Sequence, residues 1–337
     1  MGYKTIEDLM QHLRDSGIAI SGDVEKRQLI NTGYYHGYKG YRFFKNLQNR
    51  IPFTSYKEIN ATIEFDSKLK SLFYDKIMYI ETAVKNIALI CILDETKSES
   101  IQDMYDIAVE NYNTDPSLPE RKRHEIQENK LSLQNTVQSY LFSSYRSNNP
   151  KITHFYNNMS YSGVPVWALF EVLNMGDFGK LLSCLTYDVR DAITRKLGLN
   201  ISVDTNRALI YKFIYCLKDL RNAIAHNDVV FDSRFKRFNS SKAMEECIKQ
   251  DVGLSYMNFD KIDDYIILVS YYLKLLEVPK TEITAFIESF ESIVDEYKKS
   301  VSEQVSGVVI HPDLNNRINI LKKFIQHLKS TQKPGII

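Results

Sequence analysis

A chain of 337 residues with 44% hydrophobic and 25% charged residues has the composition of a globular protein, and it can bury one large core or two modest ones. Its 43 basic and 42 acidic residues leave a net charge of +1, which excludes a whole-chain attraction to nucleic acid, so RNA affinity has to come from local basic clusters. Four separated cysteines without a CxxC pair, and no run of about 20 apolar residues, argue against a zinc site, a disulfide framework and a membrane span. We therefore expect a cytoplasmic protein without a metal or other cofactor.

Helical periodicity starts close to the N-terminus. Apolar residues at positions i, i+3, i+4 and i+7 predict an amphipathic helix over Ile6–Leu13, with Thr5 as its N-cap. A second short helix is predicted to open near Ser21 or Asp23 and to end before Gly33.

Residues 34–44, YYHGYKGYRFF, interleave aromatic rings with cations. The glycines break the helical period, so we predict a loop or short irregular structure. If the stretch is exposed, its tyrosines can stack bases while Lys39 and Arg42 hold phosphates. The alternative is that Tyr34, Tyr35 and Tyr41 pack the N-terminal helices onto the rest of the protein. We favour packing for the tyrosines and keep the two cations as candidate RNA contacts.

The strongest helical pattern begins around Glu64 and runs to Asp94 without proline or glycine, with apolar residues three or four apart. Residues 95–151 are far more polar, and they predict an insertion with one or two shorter helices. Pro165 opens the next helical pattern, which pauses at Gly176. Trp167, in the first turn of that pattern, is most simply a core anchor.

One further helix is predicted to end at Gly198, and Asp204 or Thr205 can cap the helix after it. Three more helical patterns follow near the C-terminus, centred on residues 266–276, 283–297 and 314–328. Because no alternation of strands and helices and no convincing hairpin appears, the predicted fold class is all-α. The predicted organisation is an N-terminal helical and aromatic element (1–60), a helical domain (61–238, with the polar insertion at about 95–151) and a C-terminal helical extension (239–337).

The segment Leu217–Asn227, LKDLRNAIAHN, is the most informative in the chain. At about 100° per residue, Asp219, Asn222 and His226 fall on one face of the predicted helix, and Arg221 lies beside them. One helix therefore presents a cation, an amide and a titratable ring to the same space.

These three functional groups suit RNA cleavage without a metal. The imidazole of His226 can act as acid or base near neutral pH, and the guanidinium of Arg221 can bind two phosphate oxygens at once. Asn222 can orient the ring or the phosphate. Because the reaction needs both an acid and a base and the helix offers one histidine, this hypothesis predicts a homodimer with a composite cleft.

Spacing alone favours a structural role for these residues without catalysis. Arginine and histidine five residues apart are common on helices, and His226 with Asn227 and Asp228 can simply mark a helix C-terminus, where a cation suits the helix dipole. The basic residues Arg234, Lys236 and Arg237 follow about ten residues later. They can line the same cleft and bind RNA, or form an ordinary solvated face.

The segment Arg221-Asn222-x-x-x-His226 resembles the Rx4–6H signature of HEPN domains. Further blocks, in the same order, resemble the abortive-infection (Abi) family. These blocks are residues 6–17 with 29–35 and 40–41, residues 65–70 with 80–85, residues 165–181, and residues 220–226 with Phe231, Arg234 and Phe235. The resemblance covers roughly residues 5–238. It departs from the family pattern at residues 227–229, where many relatives have a second histidine or aromatic residues.

The resemblance implies a HEPN-type helical bundle that dimerises and cuts RNA without a metal, leaving 2′,3′-cyclic phosphate and 5′-hydroxyl ends. It also implies phage defence through self-toxicity, restrained in some relatives by a small antitoxin RNA. Two other functions stay open. One is a catalytically silent HEPN protein that binds RNA, and the other is a helical module that binds proteins.

Overall fold

The computed structural model describes residues 4–158 and 160–327, and within them the regular elements are all helices. The all-α prediction is therefore confirmed. In chain order the elements are α1 Ile6–Asp15, α2 Gly22–Thr32, π1 Tyr34–Lys39, α3 Tyr56–Thr96, α4 Ile101–Asp103, π2 Met104–Ala108, α5 Glu120–Arg146, α6 Pro150–Asn157, α7 Val166–Val172, α8 Met175–Cys184, α9 Tyr187–Leu197, α10 Leu209–Ala225, α11 Lys242–Val252, α12 Ile262–Leu275, α13 Lys280–Ser300, α14 Glu303–Val309 and α15 Leu314–Gln326. Leu328, the last residue of the final predicted pattern, lies outside the described residues.

The predicted helix starts near the N-terminus are confirmed. Thr5 caps α1 in a reciprocal arrangement, in which its hydroxyl accepts from the Asp8 amide and the Asp8 carboxylate accepts from the Thr5 amide. Ser21 is the N-cap of α2, and Gly33, with a φ of 73°, follows its last residue.

Two N-terminal boundaries differ from the prediction. The glycine-punctuated stretch after Gly33 forms a six-residue π-helix, Tyr34–Lys39. α3 begins at Tyr56, well before the expected Glu64, and continues for 41 residues. The apolar periodicity does not reveal the first turns of α3 because a polar residue, Thr62, occupies a fully buried position there. Its hydroxyl bonds to the Glu58 carbonyl and to the Tyr297 hydroxyl.

The polar insertion is also more regular than expected. Its main element is α5, a single helix of 27 residues, and not one or two shorter helices. α5 packs against α6, α7 and α8 through a narrow stripe that contains Leu133, Val137 and Leu141. A stripe with apolar residues only every third or fourth position leaves the rest of the surface polar, which is why the composition alone suggests a weaker element.

The described residues divide into two compact units. The first contains those of Met1–Ile77, Asp219–Ser240 and Ile248–Ile337, and the second contains Met78–Lys218 and Ser241–Cys247. Most described residues of the predicted C-terminal extension, all except Ser241–Cys247, thus share a unit with those of the predicted N-terminal element. The linear three-part organisation itself stays a prediction.

The first unit is built around α12, which is buried on all sides and packs against α13 and α15. Two acids at its start, Asp263 and Asp264, form buried ion pairs with Arg317 of α15. Burial raises the pKa of Asp263 above its ordinary value, opposed by the attraction of Arg317. These pairs hold α15 against the start of α12.

Candidate active site

The motif helix α10 has a defined start and a defined end. The Asp204 carboxylate accepts hydrogen bonds from the amides of Ala208 and Leu209, which confirms Asp204 as the cap. At the other end, the Asn227 amide donates to the Ile224 carbonyl, and the Asp228 amide donates to the Ala223 carbonyl. These two bonds form a Schellman motif, and Asn227 adopts its left-handed conformation with a φ of 56°.

His226 is the C-cap residue of α10. Its amide still donates to the Asn222 carbonyl at 2.9 Å, so the backbone is held by the helix. The side chain is exposed, and within the described part of the chain its imidazole makes no hydrogen bond. Both ring nitrogens are therefore available to a ligand.

Arg221 lies in the last turns of the same helix and is half-buried. Its Nη1 donates to Oδ1 of Asn222 at 3.1 Å, which fixes the amide of Asn222 against the guanidinium. No carboxylate pairs with Arg221 among the residues that the structure describes. A guanidinium held in place without an acidic partner keeps donors for the oxygens of a phosphate.

Asp219, predicted on the same face as Asn222 and His226, has a different role. It is buried, and its Oδ2 accepts hydrogen bonds from the amides of Arg237 at 2.8 Å and Phe238 at 3.1 Å. The side chain thus fixes the segment after the motif to α10 and faces away from solvent.

Sequence analysis missed the main anchor of the site, Asp66 of α3. Its fully buried carboxylate accepts from the amides of Val230 at 2.7 Å and Phe231 at 2.8 Å, and from the Tyr41 hydroxyl at 2.8 Å. It also pairs with the ammonium of Lys70 at 2.7 Å. Burial and the nearby Asp66 charge raise the pKa of Tyr41 well above its ordinary value, so this hydroxyl keeps its proton.

Lys70 connects this anchor to the end of the motif helix. Besides pairing with Asp66, its ammonium donates to Oδ1 of Asn227 at 2.8 Å. Asn227 is the first residue at which the sequence departs from the family pattern. Asparagine is one of the few residues that tolerate the left-handed conformation, so here it both ends α10 and fastens that end to α3.

Arg234, a predicted RNA contact, is occupied within the chain. Its Nε bonds to Asp232 at 2.9 Å, and its two terminal nitrogens donate to the carbonyls of Gly40 at 2.7 Å and Phe43 at 2.5 Å. Asp232 also accepts from the Lys45 amide at 2.6 Å. These bonds hold residues 34–44, the aromatic stretch, against the segment that follows the motif.

Lys236 and Arg237 differ in whether their cationic groups have partners within the chain. The ammonium of Lys236 donates to the Asn258 carbonyl at 2.8 Å and to the Asp260 carboxylate at 3.0 Å. The side chain of Arg237 is exposed, and within residues 4–158 and 160–327 its guanidinium has no partner. Of the three residues in this basic cluster, Arg237 is thus the one whose hydrogen-bond donors are available to a ligand.

The aromatic stretch contributes two further cations. The ammonium of Lys39 lies 4.4 Å from the ring centroid of Tyr35, which is 71% exposed. The guanidinium of Arg42 lies 4.5 Å from the ring centroid of Phe43, and its Nε is buried with no partner in the described residues. Tyr41 is buried, as the packing interpretation expects, whereas Tyr35 presents its ring to solvent.

A model of a protein family described as Abi-like protein matches residues 27–232. This range contains the motif, Asp66 and the four partners of its carboxylate, Tyr41, Lys70, Val230 and Phe231. No curated protein and no solved structure matches the chain well enough for comparison. Over the described residues, no three histidine, cysteine or acidic side chains are grouped as metal ligands. None of the described helices is both long and apolar enough to cross a membrane.

Proposed function

This chain belongs to the family of Abi-like proteins, and from that premise we propose that it is a metal-independent HEPN endoribonuclease of a phage-defence system. The observation that carries the proposal is the end of α10. There the exposed His226 imidazole has no partner among the described residues. It follows a guanidinium that Asn222 holds and that no described carboxylate neutralises. Such an arrangement offers proton transfer and phosphate binding at one place.

The proposed reaction is an internal transfer within the RNA strand. His226 takes the proton of a 2′-hydroxyl, and O2′ attacks the adjacent phosphorus. The bond from phosphorus to O5′ breaks, and O5′ receives a proton from a second imidazolium. Arg221 binds the non-bridging oxygens, whose negative charge increases in the transition state, and Asn222 orients the guanidinium. The products carry a 2′,3′-cyclic phosphate and a 5′-hydroxyl.

We propose that the second imidazole is the partner's His226 in a two-fold dimer. One copy supplies a single histidine at the motif, whereas the reaction needs one group without its proton and one with it. Light scattering at micromolar concentration tests this point. A monomer that still cleaves RNA contradicts both the dimer and the partner's His226 as the acid, and leaves only the proposed roles of Arg221 and His226 within one copy.

For RNA binding, we propose that Lys39, Arg42 and Arg237 contact phosphates directly. Their cationic groups have no carboxylate partner in the described residues. Arg234 and Lys236, in contrast, bond to carbonyls and carboxylates of the chain, so we propose that they hold the segments that present the other three cations. An antitoxin RNA that restrains the enzyme would use the same cations.

Cleavage of total RNA in the presence of EDTA tests the proposal. We expect the wild type to cut, His226→Ala to lose about 10²–10⁴ in rate, and Arg221→Ala to lose about 10²–10³. The matched controls are His124→Ala and Arg121→Ala, which alter the same residue types in the exposed first turns of α5. End analysis should find cyclic phosphates, and circular dichroism should show all variants folded. Equal cleavage by all five proteins would place the activity elsewhere or in a contaminant.

One observation favours a second candidate, a catalytically silent protein that binds RNA. His226 closes α10 as its C-cap, a position that suits a cationic ring without any catalytic role. This candidate predicts that the wild type binds RNA and never cuts it, and that its expression is no more toxic than that of His226→Ala. A wild type that is toxic while His226→Ala is harmless contradicts it.

A further inference from the structure

A second surface with an unusual concentration of aromatic side chains lies in the second compact unit. Trp167, the only tryptophan of the chain, is 41% exposed at the start of α7, although its position predicts a core anchor. It lies in a groove of about 330 Å³, the aromatic groove, which is lined by Lys151, His154 and Phe155 of α6 and by Trp167, Ala168 and Glu171 of α7. That volume is at the lower end of the range for small-molecule sites.

The rings of the groove hold one another in place. Phe155 is buried and makes edge-to-face contacts with Trp167 at 5.3 Å and with Tyr161 at 4.9 Å between ring centroids. The indole nitrogen of Trp167 donates to the Glu99 carboxylate at 3.2 Å, which fixes the ring's direction. An exposed indole held on two sides is a preorganised surface for another flat ring.

The rim of the groove is polar and carries both signs of charge. The ammonium of Lys151 and the carboxylate of Glu171 lie 2.6 Å apart, and both side chains are more than half exposed. An exposed pair of this kind contributes little stability and can exchange its partners for a ligand at low cost. The groove therefore offers an aromatic face, the Lys151 donor and the Glu171 acceptor at its rim, and the His154 imidazole, whose Nε2 lies 3.4 Å from the Tyr161 hydroxyl.

Those features fit a flat apolar ring with donors and acceptors along its edge. A purine base has that chemistry, because its faces stack on indole while its edge can donate to Glu171 and accept from Lys151. An aliphatic side chain or a lipid chain would fill the volume but leave both rim groups unused. The groove is thus more complementary to a nucleobase than to a purely apolar ligand.

Helices α5 and α6 carry further exposed aromatic side chains. Tyr145 of α5 and Tyr156 of α6 are half exposed and form an edge-to-face pair at 5.4 Å, and α5 packs against α6 and α7. Arg146, next to Tyr145, is exposed, and its guanidinium has no partner in the described part of the chain. Consecutive bases and a phosphate of one strand would use these groups, whereas a free mononucleotide would not.

We propose that the aromatic groove binds one purine base of single-stranded RNA, stacked on Trp167 and hydrogen-bonded at its edge by Lys151 and Glu171. This inference rests on the proposed function for RNA as the ligand, and it adds a base-binding subsite separate from the cleavage motif. Stacking selects unpaired bases because a duplex hides the faces of its bases.

The single tryptophan reports on the groove directly. Indole emission of the full chain carrying His226→Ala, which prevents cleavage, is followed while an eight-residue oligoadenylate RNA is added. We expect saturable quenching by the oligoadenylate, weaker quenching by oligouridylate, and none by a duplex of equal length. Adenosine monophosphate should quench only at concentrations far above those of the oligoadenylate. Equal affinity for the mononucleotide would overturn the assignment to a strand.

Anisotropy of labelled oligoadenylate supplies a second readout that does not need the tryptophan. Trp167→Ala should weaken binding about tenfold or more, and Glu171→Gln should weaken binding of purine strands more than that of pyrimidine strands. The control is Tyr74→Ala, which removes an exposed aromatic ring from α3, far outside the groove in sequence. RNA binding without quenching, or without sensitivity to Trp167→Ala, overturns the inference.

The two proposals fail in different ways. If Trp167→Ala cuts and binds RNA like the wild type, the subsite is wrong and the nuclease stands. If the oligoadenylate quenches Trp167 but the wild type never cuts, the subsite stands and the nuclease is wrong. If no RNA binds at all, both are wrong.

Discussion

Two neighbouring regions of the chain differ in how many hydrogen bonds their arginines make within the protein. At the end of α10, Arg221 has one described side-chain partner, Asn222, and the exposed His226 has none. A few residues later, Arg234 bonds to Asp232 and to two backbone carbonyls of the aromatic stretch. The first region leaves polar groups available, and the second uses nearly all of them.

This difference separates residues that can act on a ligand from residues that hold the structure. A polar group that is satisfied within the chain has to lose those bonds before it can bind anything else. An exposed or half-buried group without an internal partner loses only water, which a phosphate replaces with stronger hydrogen bonds. The contrast therefore supports the proposal that Arg221 and His226 contact the ligand, whereas Arg234 and Asp66 hold the structure.

The largest effect on stability is expected from Asp66→Ala. It removes a fully buried carboxylate that accepts from two amides and one hydroxyl, and it leaves the ammonium of Lys70 buried without its counterion. We expect the free energy of unfolding to fall by about 3–5 kcal/mol, measured by urea denaturation. Asp75→Ala, which alters an exposed aspartate of the same helix, should change it by less than about 0.5 kcal/mol. Equal losses in the two variants would show that Asp66 is not the anchor.

A smaller effect is expected within the basic cluster that follows the motif. Arg234→Ala should lower the free energy of unfolding by about 2–3 kcal/mol because it unclamps the aromatic stretch and leaves Asp232 buried without its cation. Arg237→Ala should leave stability within about 0.5 kcal/mol and instead weaken RNA binding, reducing its salt dependence by about one phosphate contact. Denaturation and RNA titration at several salt concentrations check both variants. The reverse pattern would exchange the two roles.

The helices and several of their caps could be predicted from the sequence because they depend on local patterns. Thr5 followed three residues later by Asp8, and Asp204 shortly before Leu209, are signals that lie within one or two turns. The prediction was wrong where a polar residue occupies the core. Thr62 interrupts the apolar stripe of α3, so the first two turns of that helix did not stand out.

For the site, the sequence predicted the motif residues and missed the network that holds them. Asp66 and Lys70 lie on the apolar stripe of α3 with Leu69 and Phe73, and a buried acid four residues before a lysine is a signal that could have been used. Their partners near the motif, Asn227, Val230 and Phe231, are more than 150 residues away in the chain, so no local pattern identifies them. Arg234 was predicted to contact RNA because two of its partners, the carbonyls of Gly40 and Phe43, lie more than 190 residues away, although Asp232 is only two residues away.

The smallest effect on stability is expected at the motif itself. Because the His226 imidazole is exposed and lacks a described partner, His226→Ala removes little more than a favourable interaction with the helix dipole, which is worth about 0.3–1 kcal/mol. Arg221→Ala gives up one hydrogen bond to Asn222, about 1 kcal/mol. Urea denaturation of these two variants, beside the loss of RNA cleavage proposed above, measures the contrast directly. If either variant unfolded as easily as Asp66→Ala, its loss of cleavage would follow from lost structure, and the difference between the two arginine environments would no longer mark the active site.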